Sequence, residues 1–326
     1  MIVILGPTAS GKTSLAARVA YELDGEIISA DSRQVYKGLD IGTGKDLGDY
    51  IVGKKKIPYH LIDIVSPGHE YNLFEFQQDF LKTYKEIKDR KKLPILCGGS
   101  GLYLEAVLRG FHLSPVEKDP QFTNSLHRMT HGELINILKG FRPLHNTTDI
   151  IDRQRLIRAI EIAAQSHALK PHPLQPPFLE THPLNPPLLE REGEIGKPHQ
   201  DSSSYVVFGM RFEREVIKKR ITERLERRLQ HGLIEEVQKL LDMGLSSDQL
   251  KFYGLEYRFV TLYLRQEISY NEMFNRLNIA IRQYAKRQMT WFRKMERSGF
   301  TINWIDGQLG MEQKIGEIKS YLYRRK

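Results

Sequence analysis

A group of residues near the start of the sequence has the types and spacing of a phosphate-binding loop. The segment from Gly6 to Thr13 matches the pattern G-x-x-x-x-G-K-[ST]. In such a loop glycines let backbone N–H groups face phosphate oxygens, a lysine adds positive charge, and a threonine hydroxyl can hold Mg²⁺. The residues that we predict to bind a diphosphate are Gly6, Pro7, Thr8, Ala9, Ser10, Gly11, Lys12 and Thr13. The pattern predicts a di- or triphosphate ligand and does not by itself predict hydrolysis.

A second candidate for chemistry is an acid that follows the next apolar segment. Asp31 comes directly after residues 26–30, which we predict to be a strand. Ligands of parallel sheets bind outside the carboxyl ends of the strands, so Asp31 would face the phosphate loop. There it can act as a general base, or it can simply cap the turn that begins at Ser32. Asp63 is an alternative acid for holding a metal ion, as P-loop ATPases require.

These side chains need a sheet to position them. Apolar residues 2–5 run into the phosphate loop, and Leu15, Val19 and Leu23 then recur at helical spacing, which predicts strand, loop and helix. We predict further strands at 26–30, 93–97, 205–210 and 300–305, and a long amphipathic helix over 74–87. The alternation of short strands and helices predicts an α/β fold, a parallel sheet with helices on both faces.

The C-terminal part is strongly basic. Residues 201–326 contain 24 Lys or Arg against 16 Asp or Glu, a surplus of 8 out of the net charge of +9. Two long helices predicted between the last two strands carry this charge as stripes. The stripes consist of Arg220, Arg224 and Arg227 on the first helix and Arg282, Lys286 and Arg293 on the second. A polyanion such as nucleic acid is the expected partner of such a surface.

The composition sets limits on the class of protein. A chain of 326 residues, 40% of them hydrophobic, can build a sizeable core in two domains or in one domain with a large insertion. No run of about 18 apolar residues occurs, so we expect no contact with a membrane and a cytoplasmic location. The single Cys97 excludes an internal disulfide and a multi-cysteine metal site.

Residues 170–204 form a proline-rich segment with an imperfect repeat, HPLQPP and HPLNPP. Proline removes backbone donors, so this segment cannot be a helix or a central strand. It is either a tolerated disordered insertion or a docking motif for a proline-binding partner.

The sequence that follows the phosphate loop resembles a known family. Residues 31–43, DSRQVYKGLDIGT, are similar to the tRNA dimethylallyltransferase (isopentenyl-tRNA transferase) family. Four further blocks agree with it in the same order, PYHLID at 58–63, GGSGLY at 98–103, RLIRAIE at 155–161 and AKRQMTWFR at 285–293. The resemblance covers almost the whole chain apart from the proline-rich segment. It implies a bacterial-type enzyme with a P-loop NTPase-like fold and a mainly helical insertion.

The resemblance also implies a reaction. Members transfer a dimethylallyl group from dimethylallyl diphosphate to N6 of the adenine at tRNA position 37, giving N6-isopentenyladenosine. The phosphate loop binds the donor diphosphate, and ATP is not consumed. The implied catalytic residues are Asp31 as general base, Thr13 as the ligand of Mg²⁺, and Arg224 beside the leaving pyrophosphate. Without the resemblance, Arg224 is equally well explained as part of a solvated basic face.

The anticodon stem-loop of tRNA is the implied macromolecular partner. Arginines in the matching segments can bind phosphate, and tyrosines can stack on splayed bases. The implied tRNA contacts are Asp31, Ser32, Arg33, Gln34, Ser100, Gln154, Arg155, Leu156, Ile157, Arg158, Tyr253, Gly254, Leu255, Glu256, Tyr257 and Arg258. For each tyrosine considered alone, packing in the core is an alternative reading. We expect a monomer.

The chain departs from the family at two places. The family usually has Leu-Gly-Tyr where this chain has Leu255-Glu256-Tyr257, so the glutamate would have to point away from RNA. The segment 113–150 is shorter than in many relatives. The sequence after the core contains no Cys/His pair, so we predict no zinc finger there. We divide the chain into core residues 1–112, an anticodon-arm-binding insertion at 113–204 that includes the proline-rich segment, and core residues 205–326.

Three other functions stay open. A small-molecule kinase would share the phosphate loop but would not need the basic helices. An adenylate isopentenyltransferase of cytokinin synthesis would share the chemistry with a free nucleotide as acceptor, and the block at 285–293 argues against it. A non-catalytic RNA-binding module would keep the basic face and would not depend on Asp31.

Overall fold

A six-stranded parallel sheet forms the centre of the protein. The computed structural model describes residues 1–111, 113, 119–141, 152–168 and 205–324. Its strands are β1 (Ile2–Leu5), β2 (Gly25–Ala30), β3 (Ile51–Val52), β4 (Lys55–Lys56), β5 (Tyr59–His60), β6 (Leu93–Gly98), β7 (Val206–Arg211) and β8 (Ile302–Asp306). The sheet has the order β5-β2-β6-β1-β7-β8, and β3 and β4 form a separate antiparallel ribbon.

The central position of β1 follows from its composition. All four residues of β1 are buried, as expected for a strand covered by helices on both faces. It pairs in parallel with β6, through Ile2 and Ile95, and with β7, through Ile2 and Val206. The end of β1 therefore lies in the middle of the sheet edge where ligands of such folds bind.

Helices cover both faces of the sheet. They are α1 (Lys12–Glu22), α2 (Leu73–Asp89), α3 (Gly101–Arg109), α4 (Pro120–Arg128), α5 (His131–Phe141), α6 (Arg153–Ala168), α7 (Arg214–Gln230), α8 (Leu233–Asp242), α9 (Ser247–Phe252), α10 (Leu255–Leu264), α11 (Tyr270–Arg297) and α12 (Met311–Arg324). On one face α1 and α12 pack through Leu15 and Ile315. On the other, α2, α7 and α11 pack through Phe76, Ile221 and Leu277.

The structure confirms the predicted α/β fold and extends it. Each of the five predicted strands is present to within two residues, and the long helix over 74–87 is α2. The edge strand β5 and the β3–β4 ribbon were not predicted, because two-residue strands have no periodicity to detect. The two long helices predicted between β7 and β8 are α7 and α11, and three shorter helices that were not predicted, α8, α9 and α10, lie between them.

The described residues between 111 and 168 form a compact unit of their own, and the described residues of 1–110 and 205–324 form the other. Within the smaller unit, α4, α5 and α6 pack around Leu126, Leu134, Leu138, Leu156 and Ile160. The proline-rich segment predicted at 170–204 lies outside the described residues. None of the described helices is both long enough and apolar enough to cross a membrane.

Candidate active site

The predicted phosphate loop connects β1 to α1. Ala9 and Gly11 both have positive φ, 60° and 77°, and Gly11 is the residue that begins α1 in a left-handed conformation. This is the conformation that glycine adopts without steric cost. At the start of the loop, a Cβ atom on Gly6 would lie 2.8 Å from Ser10 Oγ, so the tight turn requires glycine there too.

A glutamine that we did not assign to the site holds the loop in place. The Gln288 side chain on α11 accepts a hydrogen bond from Thr8 N–H at 2.8 Å and donates one to Gly99 C=O at 2.8 Å. Gln288 is 6% exposed, so both bonds are made away from water. The amide therefore ties the phosphate loop to the turn after β6. The matching block at 285–293 contained this residue, but no pattern in the sequence connects it with Thr8.

Lys12 lies inside the loop. Its ammonium group donates a hydrogen bond to Pro7 C=O at 3.4 Å. Burial lowers the pKa of Lys12, and the negative charge of Asp31 acts in the opposite direction. Asp31 follows β2 and is thus near enough to the phosphate loop for its charge to act on Lys12.

Arginines of α7 reach the loop from the other side. Arg220 Nε donates to Ala9 C=O at 2.8 Å, and Arg224 Nη1 donates to Thr8 Oγ1 at 3.2 Å. Arg224 also forms an ion pair with Asp46 at 2.7 Å. The third member of the predicted basic stripe, Arg227, is exposed, whereas Arg228, one residue later, points inward and pairs with Glu256.

The carboxylate of Asp31 shapes the turn after β2. Its Oδ1 accepts a hydrogen bond from Arg33 N–H at 2.9 Å, so the capping role weighed for Asp31 is present. Next to it, Ser32 N–H donates to Ser100 Oγ at 3.3 Å, and Tyr284 forms a further side-chain hydrogen bond with Ser100. Burial raises the pKa of Tyr284, and the charge of Asp31 adds to the effect. Tyr284 is thus a neighbour of the candidate base that sequence reasoning missed.

The loop between residues 39 and 46 borders this site. Glu236 on α8 accepts hydrogen bonds from the backbone N–H groups of Asp40, Ile41 and Gly42 at 2.9, 2.7 and 3.0 Å. Tyr257 O–H donates to the same carboxylate at 2.7 Å. The Glu236 carboxylate therefore fixes three consecutive residues of this loop. The same loop contains Asp46, the ion-pair partner of Arg224.

Asp63, the alternative metal-holding acid, has another partner. The buried ammonium group of Lys45 forms ion pairs with Asp63 and with Asp40, the latter at 2.8 Å, and donates to Tyr36 C=O at 2.6 Å. Asp63 thus stabilises the loop around Lys45. A different acid, Asp49, accepts a hydrogen bond from Ser14 in the first turn of α1, and burial raises the pKa of Asp49.

The predicted tRNA contacts of the larger unit divide into exposed and buried groups. Arg258 is exposed, and Arg33 places its guanidinium 4.8 Å from the ring centroid of the exposed Phe252. Tyr253 and Tyr257 are 2% and 0% exposed, so their rings pack in the core and offer no face to a base.

The remaining contacts predicted in this unit are held by the protein itself. Gln34 bonds to Ser29 and to Gly44 C=O, Gly254 and Leu255 begin α10, and the carboxylate of Glu256 pairs with Arg228. The expectation that Glu256 points away from RNA is consistent with that ion pair.

The predicted contacts of the smaller unit lie at the start of α6. Gln154 and Arg155 are exposed, and Arg158 forms an ion pair with Glu161 at 2.9 Å. Leu156 and Ile157 are buried in the core of this unit, because the 3.6-residue helical period turns them inward. The side chains available to a ligand are thus the polar ones.

Comparisons with known proteins identify the family of the chain. The family model described as IPP transferase matches residues 34–295. A tRNA dimethylallyltransferase 2 of Phocaeicola vulgatus is 49% identical over 325 residues, 100% of this chain and 98% of that protein. One from Porphyromonas gingivalis is 50% identical over 314 residues, 96% of each chain. Among solved structures, the full-length tRNA isopentenylpyrophosphate transferase of Bacillus halodurans has a TM-score of 0.65 at 31% identity, covering 99% of this chain and 95% of that one.

Proposed function

Because the chain belongs to the IPP transferase family, we propose that it transfers the dimethylallyl group of dimethylallyl diphosphate to N6 of the adenine at position 37 of tRNA. Family membership establishes the coarser statement, a prenyltransferase that transfers a dimethylallyl group to tRNA. The donor, the acceptor atom, the base and the role of the phosphate loop are the proposal. The observation that carries it is that the charge of Asp31, at the end of β2, acts on Lys12 in the phosphate loop after β1, with only β6 between the two strands.

The phosphate loop binds the diphosphate of the donor. Backbone N–H groups at the start of α1, the Lys12 ammonium and the Arg224 guanidinium supply positive potential on the same side of the sheet. As the C1–O bond breaks, negative charge develops on the departing pyrophosphate. Gln288 already holds the loop in shape and Asp46 already holds Arg224, so their remaining donors stabilise that charge without reorganising, which is the effect that lowers a barrier most efficiently.

Asp31 acts on the acceptor. The exocyclic amino group of adenine is a weak nucleophile, and N6 must lose one proton as its bond to C1 forms. Asp31 accepts that proton and, before reaction, a hydrogen bond that orients the amino group. Its own fixed geometry comes from the hydrogen bond with Arg33 N–H.

The donor set around the loop suits Mg²⁺. Among the described residues, no group of three or more His, Cys, Asp or Glu side chains could hold a metal ion by itself. Mg²⁺ typically needs only one or two protein oxygens together with substrate phosphates and water. Thr13 would hold it, and the Asp49 carboxylate, bonded to the adjacent Ser14, adds negative charge at the same turn. When bound, the ion would neutralise charge on the pyrophosphate.

The target adenine must leave the stack of the anticodon loop to reach Asp31, at a cost of a few kcal/mol. We propose that Arg33 and Arg258 in the larger unit, and Gln154, Arg155 and Arg158 in the smaller one, bind the RNA that surrounds it. We further propose that the enzyme acts as a monomer in the cytoplasm.

The test is incubation of the purified protein with dimethylallyl diphosphate, Mg²⁺ and an unmodified anticodon stem-loop, followed by mass analysis of the RNA. AMP and ATP are offered as parallel acceptors. Addition of one five-carbon group to the loop adenine is the expected result. Modification of AMP alone would instead indicate an adenylate isopentenyltransferase, and no transfer to any acceptor would contradict the proposal.

A further inference from the structure

A buried ion pair joins α7 to α10 behind the candidate site. Arg228 Nη1 lies 3.2 Å from Glu256 Oε1, and the two side chains are only 11% and 16% exposed. Glu256 occupies the first turn of α10, where the helix dipole favours negative charge. Nε and Nη2 of Arg228 are also buried, and neither has a hydrogen-bond partner among the described residues. The carboxylate is thus the main partner of this guanidinium.

The pair lies against the same loop residue as Arg224. Gly44 has a φ of 69°, and a side chain there would collide with the guanidinium groups of both Arg224 and Arg228, which are one turn apart on α7. Arg224 reaches from this point to Thr8 on the phosphate loop and to Asp46. The two guanidiniums are therefore neighbours with different partners.

Glu256 interacts electrostatically with both arginines. Burial raises the pKa of Glu256, while the charges of Arg228 and then Arg224 oppose that shift. Burial likewise lowers the pKa of Arg228 to about 10, so this side chain stays charged at neutral pH. A buried carboxylate that loses its cation is strongly destabilised and takes another partner if one is in reach. Arg224 is the second cation that acts on this carboxylate.

We propose that Arg228 is a positioning residue that keeps Arg224 on the phosphate loop by holding the Glu256 carboxylate itself. This inference rests on the proposed role of Arg224 in binding the diphosphate. Without Arg228, the Glu256 carboxylate draws Arg224 away from Thr8 and Asp46. Arg228 touches neither substrate, and its effect on the reaction passes entirely through Arg224.

The test compares Arg228→Met, Glu256→Gln and the double variant. For each, calorimetry measures the affinity for inorganic pyrophosphate with Mg²⁺, steady-state kinetics measures kcat and KM for the stem-loop, and thermal unfolding measures Tm. Arg228→Met should lower pyrophosphate affinity and kcat by roughly 10-fold or more, with KM for the stem-loop unchanged. Adding Glu256→Gln should restore both to within about 3-fold of wild type, because no uncompensated buried charge remains. Glu256→Gln alone should lose less affinity than Arg228→Met.

A matched control is Glu215→Gln on the same helix. Its carboxylate is 79% exposed and pairs with Lys218 at 2.7 Å, so its loss should leave all three measurements unchanged. If Arg228→Met lowers Tm but leaves pyrophosphate affinity and kcat at wild-type values, the pair is only structural and the inference fails. It also fails if the double variant recovers neither quantity. If the wild-type protein binds pyrophosphate but transfers no dimethylallyl group, the proposed function fails. The role of Arg228 is still tested in that case, because the pyrophosphate affinities of the variants do not depend on transfer.

Discussion

Asp31 is the residue on which the proposed proton transfer depends. Asp31→Asn keeps the size of the side chain and an oxygen for Arg33 N–H, but it removes the base. We expect unchanged affinity for tRNA and transfer slowed by roughly 10²-fold or more, within the usual range for general base catalysis. Single-turnover kinetics and RNA binding measured on the same preparation check this.

A control for Asp31→Asn is Asp248→Asn, which changes a carboxylate that is 92% exposed and pairs only with Lys251 among the described ion pairs. The Asp248→Asn variant should transfer the dimethylallyl group at the wild-type rate. If Asp31→Asn does so as well, Asp31 has no part in the mechanism.

Gln288 is the residue that fixes the conformation of the phosphate loop. Gln288→Leu keeps most of the side-chain volume but leaves the buried Thr8 N–H and Gly99 C=O without partners. Each unsatisfied buried group costs about 1–3 kcal/mol, so we expect a lower free energy of unfolding. Because the loop also loses its fixed shape, KM for dimethylallyl diphosphate should rise. Denaturant unfolding and donor titration give the two quantities.

Gln283→Leu serves as the comparison for Gln288→Leu, since Gln283 is exposed on the same helix. Donor KM should not change in that variant. Equal donor KM for Gln288→Leu and wild type would show that the loop holds its shape without this amide.

At the scale of elements, the loop between residues 39 and 46 depends on one carboxylate of α8. Glu236→Gln replaces an acceptor of three backbone N–H groups with a side chain whose amide end carries donors of its own. Hydrogen bonds to charged groups contribute about 1.5–3 kcal/mol, so the free energy of unfolding should fall by about 2 kcal/mol. The neighbouring Glu235 is exposed, and Glu235→Gln should leave stability unchanged in the same denaturant titration. Identical stability of the two variants would contradict this role of Glu236.

The elements that the sequence predicted well are those whose signal is local. The phosphate loop is eight consecutive residues between a strand and a helix, and Asp31 follows its strand directly. Contacts between residues that are distant along the chain produce no such local pattern. The hydrogen bond between Gln288 and Thr8, which are 280 positions apart, is an example. The roles of Arg228 and Tyr284 were missed for the same reason.

At the scale of the whole molecule, the excess of basic residues in the C-terminal part predicts how RNA binding responds to salt. On α11 the side chains of Lys286, Arg287 and Arg293 are exposed. If about six phosphates are contacted, affinity for the anticodon stem-loop should fall roughly 10³-fold between about 50 and 200 mM salt. Arg258→Gln should reduce the slope of log affinity against log salt by about 1. A flat response in a filter-binding titration would contradict the basic surface as the RNA-binding surface.

The fold class could be predicted for the whole chain, and the side chains at the RNA surface could not. The resemblance implied tRNA contacts in the segments around residues 154 and 257, but within each segment only some positions face outward. Tyr257 and Ile157 were included with exposed neighbours, because a block of similar sequence preserves the core as strictly as it preserves the surface. Burial separates the two groups only once the helices are packed.

The phosphate loop is synthesised before the helices that hold it in place. Its eight residues leave the ribosome well before α7 and α11, yet the hydrogen bonds that hold Thr8 and Ala9 come from Arg220, Arg224 and Gln288 on those helices. At about 5–20 residues per second, some tens of seconds separate the synthesis of the loop from that of its last support. Throughout that interval a nascent chain carries the full loop sequence without the contacts that fix it. A ribosome-bound or prematurely terminated chain that ends before α11 should therefore compete poorly with the finished enzyme for the prenyl donor.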